Sequence, residues 1–184
     1  MSQYYVGILI LICINLLAVL GLSLMTGFTG LFNFGQAGFL SVGAYTAAIL
    51  TTQYEVPFIP ALFAGMIVSV IASFFIGYPT LRLKGDYFAI ATLGFSEVVR
   101  LLVENLEKIT GGSRGIPRIQ TYTSLPFALG ASAIALWLVA NYVRSRHGRS
   151  CVAIREDELA AESIGIDSFR YKQIVFAINA ALAG

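Results

Sequence analysis

"GFTGLFNFGQAGFLSVGAYTAAIL", residues 27–50, holds five glycines and no charged side chain. In a helix surrounded by water, each interior glycine costs roughly 0.5–1 kcal/mol relative to alanine. In lipid, little hydrophobic force draws helices together. Close backbone approach and packing do that work, and small residues permit it. Gly43 and Ala47, Ala44 and Ala48, and Ala37 and Ser41 are each four apart, which lays small surfaces along a helix. Gly27, Gly30 and Gly35 are less regular, and Asn33 and Gln36 lie among them. Irregular backbone at membrane depth survives only where protein or a wet cavity covers it. The stretch predicts a tightly packed span that begins at a broken turn, with Asn33 and Gln36 facing the protein interior. Packing alone and a direct part in a substrate path are both open for it.

The rest of the chain fits the same solvent. Hydrophobic residues make up 57% of the 184 residues and charged residues 12%, against about a quarter charged in soluble domains. Mean hydropathy is +0.78, and no charged residue precedes Glu55. A spanning helix needs roughly 20 apolar residues. Five such stretches are predicted: Tyr4–Met25, Gly30–Thr52, Phe58–Leu81, Asp86–Val103 and Leu125–Val143. "QIVFAINAALAG", residues 173–184, is too short to cross and reads as the start of a sixth, so the chain reads as an N-terminal fragment. The expected fold is all-α: a polytopic membrane protein forming one domain over 1–184, with a cytoplasmic loop at 144–172. Pro79 sits near the exit of the third span, where it can kink the last turn.

Basic residues set membrane orientation. Arg82, Lys84, Arg144, Arg146, Arg149, Arg155, Arg170 and Lys172 fall in loops on one side if all five spans cross. Lys108, Arg114 and Arg118 fall on the other. The eight-residue side is expected to be cytoplasmic, and the N-terminus outside. No Lys or Arg precedes the first apolar run and no small-residue cleavage site follows it, which favours a retained span over a cleaved leader.

Glu97, Arg100 and Glu104 follow spacings of three and four, so they share one face of the fourth span. Charges at bilayer depth usually face the bundle interior or pair. Both a structural ion pair and a polar lining near a pathway mouth fit. The net charge of +2 is too small to suggest nucleic acid. Cys13 and Cys151 form no disulfide framework, and the single histidine, His147, has no ligand partners nearby. "TGGSRG" at 110–115 lacks the lysine and Ser/Thr of a phosphate loop, and no such loop occurs elsewhere. No metal, cofactor or catalytic residue is expected.

The polar stretch before residue 173 is the most informative. Glu156, Asp157 and Glu158 suit a helix N-terminus, and Leu159, Ala160 and Ala161 continue it. Gly165 is placed as the residue just past a helix end, and Asp167 or Ser168 can cap the next helix. A short helix along the cytoplasmic face is predicted between two spans.

Four stretches together resemble the permease subunit of branched-chain amino acid ABC transporters. They are "GLSLMTGFTGLFNFGQAGFLSVGAYTAAIL", "YPTLRLKGDYFAIATLGFSEVVRLL" with "TGGSRGIP", "GRSCVAIREDELAAESIGID" and "KQIVFAINAALAG". They stand in the family's order and cover nearly the whole chain. The resemblance implies a bacterial inner-membrane importer of two related permeases, two cytoplasmic ATPase subunits and a periplasmic substrate-binding protein. It implies that 154–167 is the coupling segment docking on the ATPase, with Arg155, Glu156, Glu158, Ala161 and Gly165 as its residues. Glu158, Ala160, Ala161 and Gly165 are similar to the importer "EAA…G" pattern, with Leu159 inserted after the acid. Asn33, Gln36, Glu97 and Arg100 are the candidates for the translocation path. Permeases of urea and short-amide importers are very similar, so that substrate class stays open. A motor-independent secondary transporter or channel is a further alternative. A membrane enzyme would need clustered catalytic groups, and the polar residues at membrane depth are too few and scattered.

Overall fold

The computed structural model describes residues 3–83, 85–117 and 123–184. Lys84 and Arg118, two of the basic residues counted above, lie outside them. Among the described residues the structure is helical with no strand. The long helices are α1 (Gln3–Ser23), α2 (Gln36–Gln53), α3 (Phe58–Thr80), α4 (Asp86–Asn105), α6 (Leu125–Arg144) and α9 (Ser168–Ala183). Short helices α5 (Glu107–Thr110), α7 (Arg146–Glu156) and α8 (Glu158–Ser163) connect them.

Among the described residues, three helices are long and apolar enough to cross a membrane: Tyr4–Phe28, Phe58–Thr80 and Leu125–Arg144. The first extends α1 through a π-helical turn at Leu24–Phe28. The second and fourth predicted spans do form long helices, but neither α2, which begins and ends on glutamine, nor α4, with its four charges, reaches that apolarity. The second helix also begins at Gln36, six residues later than Gly30. Residues 30–34 are non-helical, and Gly30 has φ +71°. This is the broken turn expected from the irregular glycines. Pro79 lies inside α3, whose end is closed by Leu81 N–H donating to the Gly77 carbonyl at 2.9 Å.

Packing fixes the helix directions. α2 and α4 run parallel: Phe34 N–H donates to Thr92 Oγ1 at one end (3.2 Å), and Gln53 Nε2 to the Ile109 carbonyl at the other (3.1 Å). α3 runs antiparallel to α2, with Ser69 Oγ donating to the Phe39 carbonyl at 3.3 Å and Gly65 against Gly43. α9 runs antiparallel to α3, from the Tyr78–Phe169 ring contact to Gly184 beside Ser69. Gly27–Gly30, Arg82 and Ser145–Ser168 therefore gather at one end of the bundle. Residues 107–115 lie at the other.

The side chains are distributed inside out relative to a water-soluble fold. The buried face of α3 is Ala61, Gly65, Ser69, Ser73, Gly77 and Thr80, all small. Large apolar residues such as Phe75, Ile90 and Trp137 point outward. Small residues let backbones meet, as lipid-embedded helix contacts require. A Cβ at Gly43 would collide with the Gly184 backbone, and one at Gly65 would lie 2.9 Å from the Gly43 carbonyl oxygen. Gly43 is buried in α2, whereas Ala37 and Ala44 of the predicted small surfaces are exposed. Larger groups fill one inner cluster, where Phe176 meets Phe39 and Phe88 at ring distances of 5.2 and 6.0 Å.

Candidate functional site

Two polar constellations occupy opposite ends of the bundle. The first is built on the segment between α6 and α9. Here the predicted short helix is α8, and its borders are set by side chains. Asp157 leaves helical geometry (φ −154°, ψ 108°), and its carboxylate accepts the Ala160 N–H at 3.0 Å. Gly165 takes φ +89° just past the helix, a conformation that costs an L side chain roughly 1–2 kcal/mol. Ile166 N–H then reaches back to the Ala161 carbonyl at 3.1 Å. Asp167 caps α9 by accepting the Arg170 N–H at 3.1 Å. Glu156 is not part of α8. It ends α7, a helix that the sequence reading did not foresee.

The charges of this segment are mostly used within the chain. Glu158 Oε1 meets Lys172 Nζ at 2.5 Å, tying the first residue of α8 to α9. The Lys172 side chain is only 9% exposed, so its charge depends on that partner. Arg155 Nη1 donates to the Gly27 carbonyl at 2.6 Å, and its other nitrogens pair with Glu156 Oε1. Its stem lies under Gly30, where an added Cβ would stand 2.9 Å from Arg155 Cγ. The π-helical turn and the glycine break at the end of α1 thus form the seat for Arg155. Ala161 is buried. Outward, α8 and the residue after it present two large apolar side chains, Leu159 and Ile164, 75% and 76% exposed, alongside exposed Glu162 and Ser163. Beside it, Cys151 is fully buried, with Tyr142 Oη 3.9 Å from its sulfur. Burial pushes the Cys151 thiol above its ordinary range, and the Tyr142 bond offsets part of that.

The second constellation is a cleft of about 470 Å³ between α2, α4 and the turn at Gly112–Arg114. Glu97, Arg100 and Glu104, which the three–four spacing puts on one helix face, line it. Arg100 pairs with both acids, Nη1 with Glu97 at 3.2 Å and Nε with Glu104 at 3.1 Å. Ala37, Ser41, Tyr45, Ser96 and Arg114 also line the wall.

Asn33 and Gln36 are not brought into this cleft. They sit at the broken turn, pointing inward. Asn33 Oδ1 accepts the Gly35 N–H at 2.8 Å, and Gln36 Nε2 donates to the Ala18 carbonyl at 3.0 Å. Among the described residues, Asn33 Nδ2 and Gln36 Oε1 have no protein partner, and neither does either amide atom of fully buried Asn179. Orphaned buried amides call for water or another polar group nearby. Lys172 and Asn179 were missed at the sequence level. Their signal was present: a lysine and an amide inside an apolar helix are there at a cost. Which acid would answer Lys172 could not be read, because Glu158 lies 14 positions away.

An apolar helical bundle with a small-residue interior, a broken helix and polar groups at depth defines a multi-pass membrane protein. Residues 4–184 match the family described as branched-chain amino acid transport system / permease component. The high-affinity branched-chain amino acid transport system permease protein LivM of Salmonella typhimurium is 36% identical over 217 aligned residues, covering 100% of this chain and 51% of the relative. LivM of Escherichia coli K12 is 35% identical over the same coverage. The chain belongs to the branched-chain amino acid permease family, and it spans about half the length of the curated relatives it matches. No solved structure matches it.

Proposed function

We propose that this chain forms part of the membrane-spanning subunit of an ATP-driven importer of branched-chain or related amino acids in the bacterial inner membrane. Five helices, α1, α2, α3, α4 and α6, cross in alternating directions, and α9 begins a sixth crossing. The excess of basic residues at the α8 end supports a cytoplasmic location for it, on the side of the ATPase subunits. A second permease and a periplasmic substrate-binding protein complete the assembly. The observation that carries the reading is the anchoring of α8. Lys172–Glu158 ties it to α9, and Arg155, at the end of α7, reaches the end of α1.

A segment so tied moves with the helices it holds. It can bias them only if its partner touches it differently in two states. Leu159 and Ile164 supply the outward contact, together with Glu156, whose side chain is 66% exposed. Arg155, Glu158 and Ala161 act behind that surface as its mounting. Gly165 sets the exit angle.

The test is uptake of radiolabelled leucine by proteoliposomes holding the full-length subunit with its partner permease, ATPases and binding protein. Uptake should require ATP, and the ATPase should co-purify with the subunit. ATP-independent uptake by the subunit alone would overturn the reading in favour of a secondary transporter.

A further inference from the structure

We infer that the cleft between α2, α4 and the Gly112–Arg114 turn is a receiving site for the zwitterionic head of an α-amino acid, with Arg114 taking the carboxylate. The inference rests on the importer reading for its substrate class, and it names a subsite within that path.

The argument is one of charge distribution. Glu97, Arg100 and Glu104 form a compact group of two acids and one base, so the group carries one excess negative charge. Arg100 meets the acids through Nη1 and Nε, one contact to each, and each carboxylate retains free lone pairs. Arg114 lines the same cleft from the turn and pairs with no carboxylate among the described residues. The wall is thus neutral overall but polarised, with an acidic side on α4 and a basic side on the turn. A zwitterion has that same polarity: an ammonium suited to Glu97 and Glu104, and a carboxylate suited to a guanidinium fork. A lone anion or a lone cation would meet one attractive and one repulsive side.

Two local features hold the turn that carries Arg114. Gly111, Gly112 and Gly115 have φ of +76°, +60° and +68°, a turn that only glycine adopts cheaply. Thr110 Oγ1, buried beneath the turn, accepts the Gly112 N–H at 3.2 Å and donates to the Val103 carbonyl at 2.6 Å. The cleft opens at the bundle end opposite α8. Under the importer reading, that is the side on which substrate arrives. Its volume of about 470 Å³ is within the size range of small-ligand sites.

The experiment uses the assembled full-length importer and a diazirine-bearing leucine analogue. After photolysis, labelled peptides are mapped by mass spectrometry. Labelling is expected within residues 96–115, competed by excess leucine but not by 4-methylpentanoate or isoamylamine, which each carry half of the head group. R114Q should lower the labelling at least fivefold, and R114K should restore part of it. A Glu104→Gln substitution tests the acidic side independently and should weaken competition by leucine. Equal labelling in R114Q and wild type, or equal competition by 4-methylpentanoate, would overturn the site. ATP-driven leucine uptake by the same preparation separates the two readings. Uptake with unaltered R114Q labelling sinks the cleft alone, whereas zwitterion-specific labelling without ATP-dependent uptake sinks the importer reading and leaves the cleft standing.

Discussion

Arg155 Nη1 lies 2.6 Å from the carbonyl oxygen of Gly27, a residue 128 positions earlier. The π-helical turn at Leu24–Phe28 makes this contact possible, because shifting the hydrogen-bond register leaves carbonyls at the helix end free. A charged hydrogen bond is worth roughly 1.5–3 kcal/mol. With the Arg155 side chain 43% exposed, about 1 kcal/mol is a fairer figure here. R155Q should lower thermal stability of the purified full-length subunit by about that amount, read by a fluorescence melt. G30V should cost more, since it adds left-handed strain at φ +71° and displaces the Arg155 stem. An unchanged melt for G30V would show that the seat is not formed.

Lys172 and Glu158 should behave as a coupled pair. Removing the acid alone strands a buried ammonium, and breaking a buried pair costs roughly 3–5 kcal/mol when both charges are buried. Glu158 is 38% exposed, so about 1–2 kcal/mol is expected for E158Q. The double variant E158Q/K172M should recover most of that loss. A double-mutant cycle with no coupling would show that the two residues act independently.

Gly165 has φ +89° with open space around its missing side chain, so only backbone strain opposes substitution. Asparagine tolerates that conformation far better than valine. G165N should therefore transport like the parent, whereas G165V should insert normally yet separate ATP hydrolysis from leucine uptake. Wild-type uptake and ATPase stimulation in G165V would count against the coupling role.

Glycine contacts divide the helices into tolerant and intolerant positions. G65A places a Cβ 2.9 Å from the Gly43 carbonyl oxygen and should destabilise the subunit. At Gly94 an added methyl would meet nothing within 4 Å, so G94A should gain roughly 0.5–1 kcal/mol from helix propensity in the melt. Equal effects at the two sites would refute the packing described for α2 and α3.

Cys151 should resist thiol reagents in the folded subunit, because it is fully buried and its thiol titrates above the ordinary range. The sign follows from linkage: the folded state holds the thiol proton more tightly than the unfolded chain does. Its contribution to stability is therefore intact below the ordinary thiol pKa and fades as pH rises past it. Rapid maleimide labelling at pH 7 from either side, without detergent denaturation, would refute the burial. The same burial makes Cys151 a poor reporter of sidedness, so Ser163, which is exposed on α8, is the better site for an engineered cysteine.

Local chemistry was legible in the sequence. Asp157, Gly165 and Asp167 take the positions their side chains favour, because a cap or a left-handed turn is decided within a few residues. The 97–100–104 face was equally readable from helix spacing. The small face of α3 stands in plain view at intervals of four from Ala61 to Gly77, yet the denser glycines of α2 draw the eye away from it. What could not be read were the long-range meetings: Arg155 with Gly27, Lys172 with Glu158, and Arg114 in one cleft with residues of α2 and α4. Each joins residues whose spacing carries no periodic signal, so only the folded bundle brings them together.

The inside-out distribution of size has a consequence for how this subunit tolerates change. In a water-soluble protein, replacing a central phenylalanine leaves a hole and the rim accepts almost anything. Here most of the seam along α3 is already at minimal volume, so damage there comes from enlargement, and the bulky outer belt is where one hydrocarbon can stand in for another. A saturation scan of this chain would print as the photographic negative of a soluble enzyme's.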